Sequence, residues 1–589
     1  MRGSSGKGGH VFDLLRRTGA VGGLLLSVLL AGCSSSHYRK SADREVYGLI
    51  NQLEGEIFGH TNQFTIDTPW SDRDPQSIAP AEIIENRQAS NRLVLNLERT
   101  LDLAVHRSRE YQTQKEQLYL TALTLTGQEH RFAPRFFGNA TPTLHGDGNG
   151  TISGSVNPQI GFSQLLKSGG NFSVKLVNDL FRYYSGDPRE SVLSVASINF
   201  VQPLLRGFGK NSDAVEALTQ AQRNVVYSLR SYAQFQRQFD VDIVNDYFSL
   251  LGLKDVVRNN YTNYVRRVES TRYLEARSVD RVRRSQVDDA RAAELSARIS
   301  YINSVAAYLS QLDAFKIRLG LPVGTALFLN DRDLQQLEQA GLIPVEVNRQ
   351  AAFRLAVERH PDILNAIDQF EDKKRKIEVS ADKLKPSVNL VASASYRANE
   401  REDYTNFNPD NFVYGVGLQL DLPLDRINER NAYRTTLVQF EQELRRLSLT
   451  LDEFKDRIDR GLRTLEQRRL NYLNQQAQLD VNRRRVEMNQ LLLEAGRVEI
   501  RDLREAQDQL IAAQNAVTVT RVDYLRARLQ LLLDLGVMAT DQPRFWLEDP
   551  LSTVATKEMR GTNPLHMPDD HLVPPDRFLD VPHETSPTS

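Results

Sequence analysis

Cysteine is almost absent from this 589-residue chain, in which Cys33 is the only one. A single cysteine excludes a disulfide within the chain and a metal site built from several thiolates. The chain also lacks any run of 18 or more apolar residues, which excludes a spanning helix but leaves open a β-barrel, whose strands carry a weak signal. The net charge is -1, from 74 basic and 75 acidic residues, so no positive excess indicates a nucleic-acid partner.

Proline is missing from two long segments, between Pro203 and Pro322 and between Pro423 and Pro543. Both segments carry apolar residues at intervals of three or four, a spacing typical of coiled-coil helices. If each is helical over about 70 residues, a rise of 1.5 Å per residue predicts helices about 100 Å long. A compact core cannot hold such helices, and their length favours a tube across a wide aqueous gap.

Short landmarks recur in the same order in both halves of the chain, which indicates a duplicated unit of about 220 residues. This unit is far longer than the 20–50 residues of a solenoid repeat. The landmark pairs are Leu103-Ala104-Val105 with Leu355-Ala356-Val357, Pro134 with Pro386, Gln202-Pro203-Leu204 with Leu422-Pro423-Leu424, Leu274-Glu275-Ala276 with Leu493-Glu494-Ala495, and Leu319-Gly320 with Leu535-Gly536.

Between the helical segments, residues 387–422 alternate in polarity along predicted strands. From Phe412 to Leu422, every second residue is apolar, and the residues between them are mostly small or polar. Such strands fit a barrel with lipid outside and water inside, although a half-buried soluble hairpin is the alternative. One hairpin cannot satisfy its own edges in lipid, so a barrel requires several chains.

The corresponding segment of the first half, Pro134 to Pro203, is 32 residues longer than Pro386 to Pro423. Residues 167–170, Lys-Ser-Gly-Gly, predict an additional turn within it. The chain must return to the side from which it started, so the number of membrane strands is even. Either four strands cross, or two cross and the other pair lies outside the bilayer.

The N-terminus has the three parts of a secretion signal: basic residues up to Arg17, an apolar stretch from Ala20 to Leu30, and a short cleavage region. Leu30-Ala31-Gly32-Cys33 resembles a bacterial lipobox, which implies cleavage before Cys33 and acylation of its thiol and amino group. Ser34 is similar to the residue found in lipoproteins sent to the outer membrane. The alternative is an ordinary signal with an unrelated cysteine.

These patterns predict the following organisation. The segments are a signal peptide at 1–32, a lipidated N-terminal tether at 33–92, a first repeat at 93–320, a linker at 321–349, a second repeat at 350–536, and a C-terminal tail at 537–589 that we expect to be disordered at its end. The predicted fold class is mainly α, with long coiled-coil-like helices and a membrane β part.

Residues 93–540 resemble the outer-membrane efflux protein family, the TolC-like channels. The resemblance rests on Phe200–Gly207 at a strand-to-helix junction, on its second copy at Leu420–Leu424, on Glu358–Asp362, and on Leu493–Val498 at a helical tip. It implies a homotrimer in which each protomer gives four strands to a twelve-stranded barrel and helices to a periplasmic tunnel. It also implies a periplasmic adaptor protein and an inner-membrane transporter as partners.

The resemblance places the narrowest part of the tunnel at the periplasmic tips of the helices, where charged residues would form a gate or contact the adaptor. The alternative is that they are only solvated turn residues. The first tip has arginine at position 277 where the second has Gly496, so we expect the two tips to differ in their contact with the adaptor or in gating. The candidates are Arg277, Asp280, Arg281, Gly496, Arg497, Glu499 and Asp502.

The sequence therefore predicts an outer-membrane exit duct for efflux or type I secretion, lipid-anchored and extending into the periplasm. A structural coiled-coil lipoprotein that spaces the outer membrane from another envelope layer is the alternative, although a spacer has no need of alternating strands. No nucleophile and base occur at a catalytic spacing, so we expect neither an enzyme, nor a cofactor, nor a metal site.

Overall fold

The computed structural model describes residues 35–59, 61, 63–88, 91–146, 152–183, 190–277, 283–398, 407–542 and 544–554. Cys33, Asp280 and Arg281 of the predicted sites lie outside the described residues, as does the predicted signal peptide. Among the helices of the described ranges, none is both long enough and apolar enough to cross a membrane.

The helices and strands of the second half follow the same order as in the first half, which has further elements at its start and four additional short strands. The first half contains α1 (Ser35–Phe58), α2 (Pro80–Gln88), β1 (Arg92–Leu95), α3 (Leu97–Arg107), α4 (Arg109–His130), β2 (Arg135–Asn139), β3 (Pro142–Gly146), β4 (Ile152–Val156), β5 (Gln159–Leu165), β6 (Asn171–Tyr183), β7 (Glu190–Pro203), α5 (Asp213–Arg277) and α6 (Arg284–Arg318). The linker holds β8 (Ala326–Leu329) and α7 (Arg332–Ala340). The second half contains α8 (Arg349–Arg359), α9 (Pro361–Asp382), β9 (Ser387–Ala398), β10 (Phe407–Asp421), α10 (Ile427–Glu494), α11 (Ile500–Asp534) and the single turn α12 (Leu551–Val554).

Corresponding helices of the two halves have matching lengths. Helices α3 and α8 both have 11 residues, α4 and α9 both have 22, and α6 and α11 both have 35. The longest pair, α5 and α10, has 65 and 68 residues, or about 100 Å each at 1.5 Å per residue. The predicted long helices are therefore confirmed.

Two glycines explain why one landmark recurs. Gly320 and Gly536 end α6 and α11 with φ angles of 72° and 68°, a region that other residues adopt only with strain. A Cβ atom on Gly320 would lie 2.1 Å from the carbonyl oxygen of Arg107. A Cβ on Gly536 would lie 3.0 Å from the carbonyl carbon of Arg359. In both halves, therefore, a bare backbone lets the end of the long hairpin contact the end of the 11-residue helix.

The described strands form two sheets. The small one pairs β1 with β8 in parallel, so that Arg92 lies beside Ala326. The large one is antiparallel and has eight strands, with the order β10-β9-β7-β6-β4-β3, while β5 pairs with β6 and β2 pairs with β5. The turn between Leu165 and Asn171 confirms the additional turn that the sequence predicts.

The main hydrophobic core lies in the middle of the helices, where the linker packs against both halves. Phe239, Tyr247 and Phe248 of α5 share this core with Leu529 and Leu532 of α11. Full burial of side chains of this size stabilises a fold by roughly 1.5–3 kcal/mol each. The core therefore joins the two repeats into one body.

The two terminal segments are more ordered than the sequence indicates. In the segment predicted to be a tether, α1 packs on α4 and α5, and Val46 and Ile50 are buried there. At the start of the predicted tail, Phe545, Trp546 and Leu551 are buried in the main core. The end of that tail, residues 555–589, lies outside the described residues.

Candidate functional site

The large sheet exposes one apolar face, as the alternation predicts. On β10, Tyr414, Val416 and Leu418 are 74%, 73% and 69% exposed. These residues point to one side of the strand, while Gly415 and Gly417 point to the other. In water, exposure of this face costs an isolated chain roughly 25 cal/mol per Å² of apolar area, so the geometry favours a nonpolar environment.

A polar junction joins the sheet to the helices. The amide of Gly207 donates a hydrogen bond of 2.6 Å to Asp382 Oδ2, and Lys385 Nζ lies 2.6 Å from Oδ1. Burial raises the pKa of Asp382, but the Gly207 and Lys385 contacts outweigh it and hold that pKa below the usual range. The carboxylate therefore stays ionised and fixes the loop after β7 to the end of α9.

A second buried carboxylate connects α9 to the long helix α5. Asp372 of α9 is 2% exposed. It accepts a hydrogen bond of 2.7 Å from the hydroxyl of Tyr227 and pairs with Arg223, both on α5. Arg375 donates a bond of 2.8 Å to the same carboxylate and also binds Glu216 of α5. These contacts join the two repeats close to the sheet.

At the far ends of the long helices, the first tip is described only in part. Arg277 is the last residue of α5, and its guanidinium lies 4.7 Å from the centre of the Tyr273 ring. This cation–π contact explains the orientation of Arg277 without a partner chain. Its neighbours in the predicted gate, Asp280 and Arg281, are not among the described residues.

The second tip is built by local turn chemistry. Gly496 has a φ of 69°, and the amide of Arg497 donates a hydrogen bond of 2.8 Å to the carbonyl of Leu492. This arrangement ends α10. Glu499 and Asp502 form a capping box at the start of α11. The structure therefore gives Gly496, Glu499 and Asp502 a folding role in addition to any role at a gate.

The structure also shows a contact that the sequence analysis missed. It joins the first helical hairpin, formed by α5 and α6, to the second, formed by α10 and α11. Arg267 of α5 is 5% exposed, donates a bond of 2.5 Å to Asp508 of α11, and contacts the carbonyl of Arg504 at 3.1 Å. Arg504 in turn donates to the carbonyl of Asp289 on α6. Burial lowers the pKa of Arg267, against the effect of Asp508. Because Arg267 and Asp508 are 241 residues apart, no local pattern could have paired them.

Beside this contact lies a cavity of about 170 Å³. It is lined from both hairpins, by Ser270 and Asp289 of the first and by Glu499 and Arg501 of the second. Of the predicted tip charges of the second repeat, Glu499 therefore faces a space shared with the first, whereas Arg497 and Asp502 do not line it.

Comparison with known proteins supports a channel. Residues 352–537 match the family model described as outer membrane efflux protein. No curated protein matches the chain significantly.

Several solved outer-membrane channels have a similar fold. The outer membrane channel CmeC of Campylobacter jejuni is 14% identical, with a TM-score of 0.56 over 78% of this chain and 88% of CmeC. VceC, an outer membrane protein of Vibrio cholerae, is 15% identical, with a TM-score of 0.55 over 75% of this chain and 96% of VceC. CusC, a protein that undergoes conformational changes on folding and transmembrane channel formation, is 12% identical, with a TM-score of 0.56 over 75% of this chain and 92% of CusC. Residues 352–537 of this chain thus match the outer membrane efflux protein family, and the chain as a whole has the fold of the TolC-like outer-membrane channels.

Proposed function

We propose that this chain is an outer-membrane lipoprotein, anchored through Cys33, whose homotrimer is the passive exit duct of a tripartite efflux or type I secretion system. Its partners are a periplasmic adaptor protein and an inner-membrane transporter. The observation that carries the proposal is the direct connection of an open sheet, apolar on one exposed face, to helices about 100 Å long.

The sheet supports the membrane part of this proposal. A sheet exposing Tyr414, Val416 and Leu418 on one face and glycines on the other matches the lipid side and the water side of a barrel wall. Its two outer edges carry unpaired backbone groups, which are costly in lipid unless another strand covers them. Neighbouring copies of the same chain supply such strands.

The tips of the helices support the periplasmic part. Arg277, Asp280 and Arg281 at the first tip and Arg497, Glu499 and Asp502 at the second would form rings of charge where three copies converge. Charged rings in a narrow pore control which ions pass. The same tips, with Gly496, are the surface that an adaptor would contact.

A matched pair of lysine substitutions on β10 tests the membrane assignment. Leu418 lies on the apolar face, and the adjacent Gln419 lies on the opposite face. Lysine facing lipid near the middle of the bilayer costs roughly 2–4 kcal/mol, whereas lysine facing water in the pore costs little. We therefore expect Leu418→Lys to remove most of the assembled protein from the outer membrane, and Gln419→Lys to leave the amount unchanged.

The readouts are the quantity of trimer extracted from outer membranes, measured by mass photometry, and its conductance in a planar bilayer. A trimer that conducts ions in the wild type and in Gln419→Lys supports the duct. Equal tolerance of both substitutions, in a protein without conductance, would support the alternative of a structural spacer.

A further inference from the structure

The sheet has more strands than the four per protomer that the resemblance implies. We define the outer hairpin as the strands β2 to β5, within residues 135–146 and 152–165. Arg135 lies opposite Ser163, and Pro142 lies opposite Val156. Both pairs belong to one unbroken register, because the two residue numbers of each pair add up to 298. The ladder continues between them, since the amide of Asn157 lies 3.4 Å from the carbonyl of Thr141. Strands β2 and β3 are therefore one row, and β4 and β5 are the next.

The same holds on the other side of the second row. Strand β6 pairs with β5 from Asn171 and with β4 up to Tyr183 in one register, and the amide of Asn178 donates to the carbonyl of Pro158 at 3.0 Å. Pro158 has no amide hydrogen to return, which interrupts the ladder at that point. The eight described strands of the large sheet thus form six rows: β2–β3, β4–β5, β6, β7, β9 and β10.

The outer hairpin begins at the same level as the other rows, beside the helices. The side chain of Gln164 donates a bond of 3.1 Å to the carbonyl of Phe132, just after α4. The turn after β5 contacts the loop before α5, where the amide of Gly209 donates to the carbonyl of Ser168 at 3.0 Å. The second row extends from 152 to 165, a length close to that of β6 and β7. The outer hairpin therefore runs alongside the other rows of the large sheet over their full length.

The two faces of the sheet continue across the outer hairpin without a change in polarity. One line of paired residues crosses all six rows on the apolar face: Phe136, Phe162, Val174, Ile198, Ala394 and Tyr414. The adjacent line lies on the opposite face and is small or polar: Arg135, Ser163, Ser173, Asn199, Ser393 and Gly415. Phe136 is 81% exposed, as a lipid-facing residue of an unassembled chain would be.

The rows also shift along one another in the way that a closed barrel requires. The polar line starts at Arg135, the first residue of β2, and reaches β10 at Gly415, six residues before the end of that strand at Asp421. A shift of six residues across the five spacings between six rows corresponds to a strand tilt of about 40°, using about 3.3 Å per residue and 4.8 Å between strands. Barrel strands tilt by about 35–45°, so the six rows have the tilt of a membrane barrel wall.

We propose that the outer hairpin is part of the channel wall, so that three copies close an eighteen-stranded barrel rather than a twelve-stranded one. This inference rests on the trimeric channel proposed above. At each seam, β10 of one copy pairs with β2–β3 of the next, and Asp421 lies opposite Arg135. Both side chains belong to the polar face, and opposite charges directly across a strand pair stabilise it. Since barrel diameter grows roughly linearly with strand number, the bore is about 1.5 times that of a twelve-stranded barrel.

Cysteine cross-linking tests the seam in the full-length protein, in its own outer membrane. The register that aligns Arg135 with Asp421 also aligns Asn139 with Gly417, and a Cβ on Gly417 meets nothing within 4 Å. Directly opposed residues have Cα atoms about 4.5–5.5 Å apart, within reach of a disulfide. With copper phenanthroline as oxidant, we expect the pair Asn139→Cys and Gly417→Cys to give covalent dimers and trimers.

The matched control is Lys175→Cys with Gly417→Cys. Lys175 of β6 lies on the same face of the sheet as Asn139, but the outer hairpin separates β6 from the edge of the sheet. This control should stay monomeric under denaturing conditions, as should each single variant. Cross-linking of the control instead of the first pair would mean that β10 closes on β6 and that the hairpin lies outside the wall. A conducting trimer without any cross-link would also overturn this seam while leaving the proposed function intact. A protein that never forms a trimer would overturn the proposed function itself.

Discussion

Four glycines allow the strain of a left-handed backbone to be separated from the cost of a steric overlap. Gly324 has neither feature, and Gly496 has a φ of 69° but open space around its Cβ position. Gly536 combines a φ of 68° with backbone atoms at 3.0 Å, and Gly320 combines a φ of 72° with the Arg107 carbonyl oxygen at 2.1 Å. The same substitution, glycine to alanine, therefore probes four levels of constraint.

The expected losses of unfolding free energy follow this order. Gly324→Ala should be neutral or should stabilise by about 0.4–1 kcal/mol, because alanine restricts the unfolded chain. Gly496→Ala should cost about 1–2 kcal/mol for the left-handed conformation alone. Gly536→Ala should cost more, and Gly320→Ala should cost above about 4 kcal/mol, because a backbone carbonyl cannot move aside without shifting α3.

The assay is thermal unfolding of the detergent-extracted protein, followed by circular dichroism of the helices. The reasoning requires the midpoints to fall in the order Gly324→Ala, Gly496→Ala, Gly536→Ala and Gly320→Ala. If Gly320→Ala unfolds at the same temperature as Gly496→Ala, the contact between the end of α6 and the end of α3 is not a fixed part of the fold.

Three further predictions concern anchoring, gating and pH. Cys33→Ser should abolish fatty-acid labelling of the protein in cells, and equal label in mutant and wild type would refute the lipobox. Asp280→Asn with Asp502→Asn should shift the pore toward anions, since the arginines at the tips remain; an unchanged reversal potential in a salt gradient would place the constriction elsewhere. Burial raises the pKa of Asp240 to about 6, although a hydrogen bond with Thr540 opposes this, so the folded protein should lose stability as the pH rises from about 4 to 6. Asp240→Asn should therefore unfold at a higher temperature than wild type above pH 6 and should remove this pH dependence.

The features predicted well from the sequence are those with a short period. The long helices could be located because proline is absent and apolar residues recur every three or four positions. The faces of β9 and β10 could be assigned because side chains alternate strictly along a strand. The landmark at Gly320 and Gly536 could be found because both halves need a bare backbone at the same contact.

The number of rows in the wall could not be predicted, because the outer hairpin obscures its own pattern. Pro142 and Pro158 interrupt its strands. Gly138 and Gly161 have no side chain, so they weaken the alternation of apolar and polar residues along these strands. The pairings with β6 on one side and with β2 and β3 on the other show that the two short strands on either side of Pro158 are one row. Pairing of this kind is set by contacts distant in sequence, which local periodicity does not contain.

The terminal segments were underestimated for another reason. Helix α1 has 24 residues but buries only Val46 and Ile50 fully, so its apolar stripe is too thin to stand out. Phe545 and Trp546 lie beyond the last proline-free segment, in a region whose composition is otherwise typical of disorder. The backbone of Trp546 is held by Arg528, which is 1% exposed and donates to its carbonyl at 3.0 Å. Neither contact has a local signature.

The small parallel sheet has a consequence for how such a chain could arise. Because β1 enters the first repeat and β8 leaves it side by side, with Arg92 beside Ala326, the repeat begins and ends at one place. A gene segment that encodes a unit with adjacent ends can be copied in tandem without a long connection between the copies. The 29 residues from 321 to 349 are then enough to start the second copy where the first one finished. Adjacent ends of this kind favour the tandem duplication of such a unit.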